Sequence, residues 1–188
     1  ANNNTAIGHA ALSANTTAVD NTAVGKDALL TTTTGHENTA VGKSALKLTT
    51  TGRSNVAMGR ETMQDNTTGD YNTALGYEAL KANTTADENV AVGRNTLQTN
   101  TTGTANTAVG TYALRDNVTA NNNTAVGKNA LLENEASNNT AVGYQAGATN
   151  TTGTEYVLIG YQAGYQQTGA SSGSVAVGYQ ALYASGGP

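Results

Sequence analysis

Asn38-Thr39-Ala40-Val41-Gly42 decides the fold, because the same phrase returns along the whole chain. The glycines that close it are Gly8, Gly25, Gly42, Gly59, Gly76, Gly93, Gly110, Gly127, Gly143, Gly160 and Gly178, spaced by seven steps of 17 residues and then by 16, 17 and 18. A period of that length, kept in phase, marks a solenoid in which each repeat is one coil stacked on its neighbours. Numbered from its Asn, the repeat reads Asn-Thr-Ala-Val-Gly-x-x-Ala-Leu-x-x-Asn-Thr-Thr-Gly-x-x.

Position four is apolar in all eleven copies (Ile7, Val24, Val41, Met58, Leu75, Val92, Val109, Val126, Val142, Ile159, Val177). Position three is Ala except at Leu158, and position two is β-branched, as in Thr39, Val56, Thr73 and Val90. These residues favour a strand, whose side chains alternate between two faces. The pair at positions eight and nine, such as Ala45-Leu46, predicts a second strand, and the Asn-Thr-Thr-Gly run predicts a turn. The expected fold is all-β: one domain over residues 1–188, a parallel β-solenoid or β-roll of about eleven 17-residue coils. The Ala and Gly content favours a flat two-layer roll over a triangular section. At a strand spacing of roughly 4.8 Å the rod would be about 50 Å long.

The ladders expected to hold the stack are Asn21, Asn38, Asn72 and Asn106 at position one, Val24, Val41, Val92 and Val109 at position four, and Gly25, Gly42, Gly76 and Gly93 at position five. Stacked amides bond from rung to rung and to the local backbone. For the Val row two arrangements stay open. With Ala40 and Gly42 inward, Val41 joins an outer apolar stripe that requires a partner; with Val inward, a small-residue face looks outward. Burial of the Val position is expected, in the roll or against another copy. The last copies carry Tyr156 and Ser174 in place of Asn, and Gly147 and Gly164 in place of Leu, which predicts a change in cross-section.

Composition narrows the function. Phe, Trp and Cys are absent, so the core must be thin and continuous. Charged residues are only 12% and the net charge is -4, which argues against a nucleic-acid partner. No apolar run is long enough for a membrane-spanning helix, so no membrane insertion is expected. The chain opens at Ala1 and reads as a fragment of a longer fibrous or surface protein. Gly42-Lys43-Ser44 is no phosphate-binding loop, because Glu37 stands where that motif needs its first Gly. No position is regularly Asp, as a calcium-binding roll would require, and His9 and His36 fall at different repeat positions without Cys. No catalytic residue, metal site or cofactor is assigned, and an enzyme is not expected. Position six runs from His9, Lys26, Lys43 and Arg60 to Tyr144, Tyr161 and Tyr179, a candidate surface for polysaccharide.

Ser174-Val175-Ala176-Val177-Gly178 through Ala181 resembles the head repeats of trimeric autotransporter adhesins, the YadA-like left-handed parallel β-roll. The Tyr-Gln form of the phrase, Asn139 to Ala146 and Gly160 to Gly164, is similar to repeats of phage tail fibres and related surface proteins. The resemblance covers all eleven copies and departs from the adhesin heads in its longer period. It implies a homotrimer, extracellular at the cell surface or on a virion, serving as a stiff structural fibre segment in attachment. The other class left open is a regular, Thr-bearing surface that binds ice.

Overall fold

The computed structural model describes residues 3–166 and 172–183. Eleven strands recur once per repeat: β1 (Thr5–Ile7), β2 (Thr22–Val24), β3 (Thr39–Val41), β4 (Val56–Met58), β5 (Thr73–Leu75), β6 (Val90–Val92), β7 (Thr107–Val109), β8 (Thr124–Val126), β9 (Thr140–Val142), β10 (Val157–Ile159) and β11 (Val175–Val177). They form one parallel sheet in chain order, with no helix among the described residues. Each position pairs with its equivalent one coil on, as Thr22 with Thr39 and Val24 with Val41. That register persists across the 16-residue coil, where Thr124 pairs with Thr140. The chain is therefore a parallel β-solenoid.

Each coil has one strand, where two were expected. Positions five to twelve form two successive turns instead: Ala45 N–H donates to Gly42 C=O (3.3 Å) and Thr49 N–H to Leu46 C=O (3.3 Å). Ser44 and Leu46 take positive φ of 58° and 49°, which breaks any extended run there. A β-branched or bulky side chain in the left-handed region costs about 1–3 kcal/mol. Leu46 offsets that cost by burying its side chain completely, worth about 1.5–3 kcal/mol. Its N–H also donates to Thr62 C=O of the next coil (3.1 Å).

The strand faces resolve the two arrangements left open by the sequence. From β2 to β10, Ala40 and its equivalents at position three point inward and are fully buried beside Ala45 and Leu46, so the core is a thin column of Ala and Leu. Val24, Val41 and Val92 point outward and are half-buried, while Val109 is 37% exposed. Within one chain the Val row is thus not buried, because the Leu of position nine already fills the interior opposite Ala.

Position five explains its own invariance. Gly59 has φ +135°, and a Cβ there would lie 2.6 Å from Gly76 O. Gly25, Gly42, Gly76 and Gly93 share this positive-φ conformation at the strand end. The tight stacking of coils leaves no room for any other residue.

Candidate binding surface

Three polar columns run through the stack and fix the outer surface. In the first, Asn38 Nδ2 donates to Gly52 C=O of its own coil (2.8 Å) and to Asn21 Oδ1 (3.2 Å), and Asn38 N–H donates to the same oxygen (2.9 Å). Asn21, Asn72 and Asn106 repeat the bond within their own coils, to Gly35, Ala86 and Ala120 C=O. All four are fully buried, so their amides brace the coil and face no ligand.

A second amide column, which the sequence reading took for turn chemistry, stands at position twelve. Asn83 Nδ2 donates to Asn66 Oδ1 (2.8 Å), Asn100 Nδ2 to Asn83 Oδ1 (3.2 Å) and Asn117 Nδ2 to Asn100 Oδ1 (3.0 Å). Burial was the missing signal: Asn repeats at this position as it does at position one, but a solvated turn would show the same Asn. At position sixteen a third column uses side-chain oxygens to accept backbone N–H groups, Arg53 N–H to Asp70 Oδ1 (2.8 Å) and Asp70 N–H to Asp87 Oδ1 (2.7 Å).

Positions six, seven and ten form one continuous outer surface. In the middle coils it is an ion-pair lattice: Arg60 with Glu61 (2.9 Å), Lys81 with Glu61 (3.1 Å) and Lys81 with Glu78 (2.8 Å), extended by Gln98 Nε2 donating to Glu78 (2.7 Å). Hydrogen bonds from Lys81 and then Arg60 pull the Glu61 carboxyl down to about 2. Glu78 is lowered chiefly by Lys81. The Arg60 guanidinium lies over the Tyr77 ring at 5.6 Å, and those of Arg94 and Arg115 both lie over Tyr112.

In the last three coils the same rows become neutral. Tyr144, Tyr161 and Tyr179 stack with ring centroids 5.3 and 5.2 Å apart. Gln162 Nε2 donates to Gln145 Oε1 (2.8 Å) and Gln180 Nε2 to Gln162 Oε1 (3.0 Å), while Tyr165 stacks on Tyr183 at 5.4 Å. The structure therefore brings together the three tyrosines singled out from the sequence and adds a Gln row beside them. Because each ring packs on the next, both faces of Tyr161 are covered, and ring edges and hydroxyls are what solvent meets.

Of the two histidines, His9 opens the position-six row of this surface, exposed and 3.8 Å from Asp27 of position seven, whereas His36 lies apart from it at position sixteen, half-buried with an unpartnered Nδ1. No protein family matches this chain, and no curated protein or solved structure does either.

Proposed function

We propose that the chain is a stiff structural segment of an extracellular fibre, a cell-surface adhesin or a phage tail fibre, which spaces and presents attachment sites and assembles with copies of itself as a homotrimer. The carrying observation is the outer face of the sheet. Thr or Val at position two and Val, Ile, Leu or Met at position four stand in register on every rung, carry no charge, and remain half-exposed or exposed in the single chain. A long apolar stripe of this kind is an association surface. Its borders differ in sign: Lys26, Lys43, Arg94 and Lys128 lie along position six, and Asp20, Glu37, Glu88 and Glu155 along position seventeen. Copies related by an axis along the rod set each border against the opposite border of a neighbour, whereas antiparallel copies set like charges together. Charge thus favours parallel assembly, as the resemblance to trimeric adhesin heads implies.

Light scattering on the purified chain tests this reading. A mass of three chains is expected, and the pair Val92→Lys and Val109→Lys should yield a folded monomer, since both side chains point away from the core. A native chain that stays monomeric at micromolar concentration overturns it.

A second reading, ice binding by the same face, has one observation in its favour. The hydroxyls of Thr22, Thr39, Thr73, Thr107, Thr124 and Thr140 point outward and form no hydrogen bond with the described residues. Val interrupts the row at β4, β6, β10 and β11. Thermal hysteresis in a dilute solution of the monomeric chain would favour this reading over the fibre.

A further inference from the structure

We infer that the Tyr–Gln surface of the last three coils is a binding site for a neutral, extended β-linked polysaccharide lying along the rod axis. Charge supports this first. From Ala136 to the end of the chain Glu155, at position seventeen, is the only charged residue, so the three rows themselves offer no counter-ion to an anionic or cationic polymer. The ion-pair lattice of the middle coils gives way on the same three rows to phenol and amide groups, which are the partners that sugar hydroxyls accept from and donate to.

Periodicity supports it second. The rings of Tyr144, Tyr161 and Tyr179 stand one per rung, with centroids 5.3 and 5.2 Å apart on rungs that advance by roughly 4.8 Å, near the advance per sugar of an extended β-1,4-linked chain. An α-1,4-linked chain coils and cannot follow a straight row. Exposure completes the case: the three tyrosines are 39%, 44% and 74% exposed. Tyr161 packs a ring on each side and Tyr144 and Tyr179 pack one ring each, so between the rungs a sugar meets hydroxyls and ring edges. Each of Gln162 and Gln180 uses one amide N–H on its neighbour and keeps the second for a ligand. The site is built from residues of one chain, but its Tyr row is the position-six border of the sheet face, so sugar binding is read together with the mass of the same sample.

Isothermal titration calorimetry of the purified chain with cellohexaose, chitohexaose and maltohexaose tests the inference, with light scattering run on the same samples. At least one β-linked hexaose is expected to bind, its affinity climbing with length up to about four sugars, and maltohexaose should bind about tenfold more weakly or not at all. The variant Tyr144→Phe, Tyr161→Phe, Tyr179→Phe keeps the stacked rings and removes the hydroxyls. It should weaken binding about tenfold or more while melting temperature and mass stay fixed. Gln162→Met should weaken it as well. No binding of either β-linked hexaose at millimolar concentration, equal binding of maltohexaose, or unchanged affinity in the Phe variant overturns the site. So does a change in the mass of the Phe variant without sugar binding, which would make the row a protein contact.

Discussion

Leu158 occupies the space that Gly147 vacates. A Cβ on Gly147 would lie 2.7 Å from Leu158 Cδ1, and one on Gly164 would lie 2.7 Å from Leu158 Cδ2. Elsewhere a small Ala at position three faces a large Leu at position nine; here the sizes are exchanged and the strand register continues unbroken. The sequence expectation of an altered cross-section thus becomes an exchange of volume. Leu158→Ala should empty two adjacent coils and cost about 2–5 kcal/mol. Pairing it with Gly147→Leu should recover part of that loss, a non-additivity that denaturant titration of the two single variants and the double variant will show.

Thr49 marks a defect in the second amide column. Its hydroxyl and that of Thr32 are buried without a hydrogen-bond partner, on the two rungs that precede Asn66. Asn66 Nδ2 donates to Gly69 C=O (3.1 Å), and Gly52, the equivalent of Gly69 one coil earlier, has a carbonyl that accepts only from Asn38 Nδ2 (2.8 Å) among the side chains described. Thr49→Asn should donate to Gly52 and accept from Asn66, extending the ladder by one rung. A gain of about 0.5–1.5 kcal/mol per bond is expected, read as a higher denaturation midpoint. A lower midpoint would mean that the rung cannot hold an amide.

Much of this molecule is written in the 17-residue period, and the rest is hidden by what periodicity does not encode. Coil number, parallel register and the Asn38 column follow from recurrence, since a stack needs the same residue type at each level. The second strand did not follow. Ala45-Leu46 reads as extended because apolar pairs usually do, whereas Leu46 holds a left-handed backbone that only its complete burial compensates. The direction of Val41 was equally closed to the sequence, because both strand faces carry small or apolar residues and only the Leu column on the opposite wall decides which face is inside. At the Tyr surface the sequence placed Tyr144, Tyr161 and Tyr179 in one row but could not orient the rings. The Tyr-Gln phrase is plain in the sequence, but that Gln145, Gln162 and Gln180 bond to one another from rung to rung is not, because position seven is otherwise variable.

Acid should loosen the middle of the rod before its ends. The folded Glu61 carboxyl sits at about 2, below its ordinary 4.5, because Lys81 and Arg60 hydrogen-bond its charged form. A depressed carboxyl contributes stability that is full above the unfolded value and is lost as pH falls through the folded one. The loss should therefore run from about pH 4.5 down to about pH 2, with Glu78 shifted in the same direction. Denaturation midpoints across that range should fall less steeply in Lys81→Met than in the native chain. Equal slopes would show that the lattice contributes nothing to acid sensitivity.

Asn72 is the rung on which an interruption should be felt most. Its Nδ2 donates to Ala86 C=O (2.8 Å), Asp70 C=O (3.0 Å) and Asn55 Oδ1 (3.2 Å), and its Oδ1 accepts from Asn89 N–H (2.9 Å). Asn72→Leu keeps the bulk and removes every one of these bonds, leaving the Asn89 N–H buried and unpaired, while the Ala86 carbonyl keeps its bond from Asn83 Nδ2 (3.1 Å). The orphaned N–H costs about 1–3 kcal/mol and the other lost bonds about 0.5–1.5 kcal/mol each, so a loss of about 3 kcal/mol is expected. A solenoid is held by nearest-neighbour interfaces, so this loss should be local. Hydrogen exchange should quicken first in β4, β5 and β6 while β1 and β9 stay protected, and the unfolding transition should broaden. Glu88→Ala, an exposed change beside the same rung, should shift the midpoint by no more than about 0.5 kcal/mol. Uniform loss of protection along all coils in Asn72→Leu would show instead that the rod unfolds as one cooperative unit.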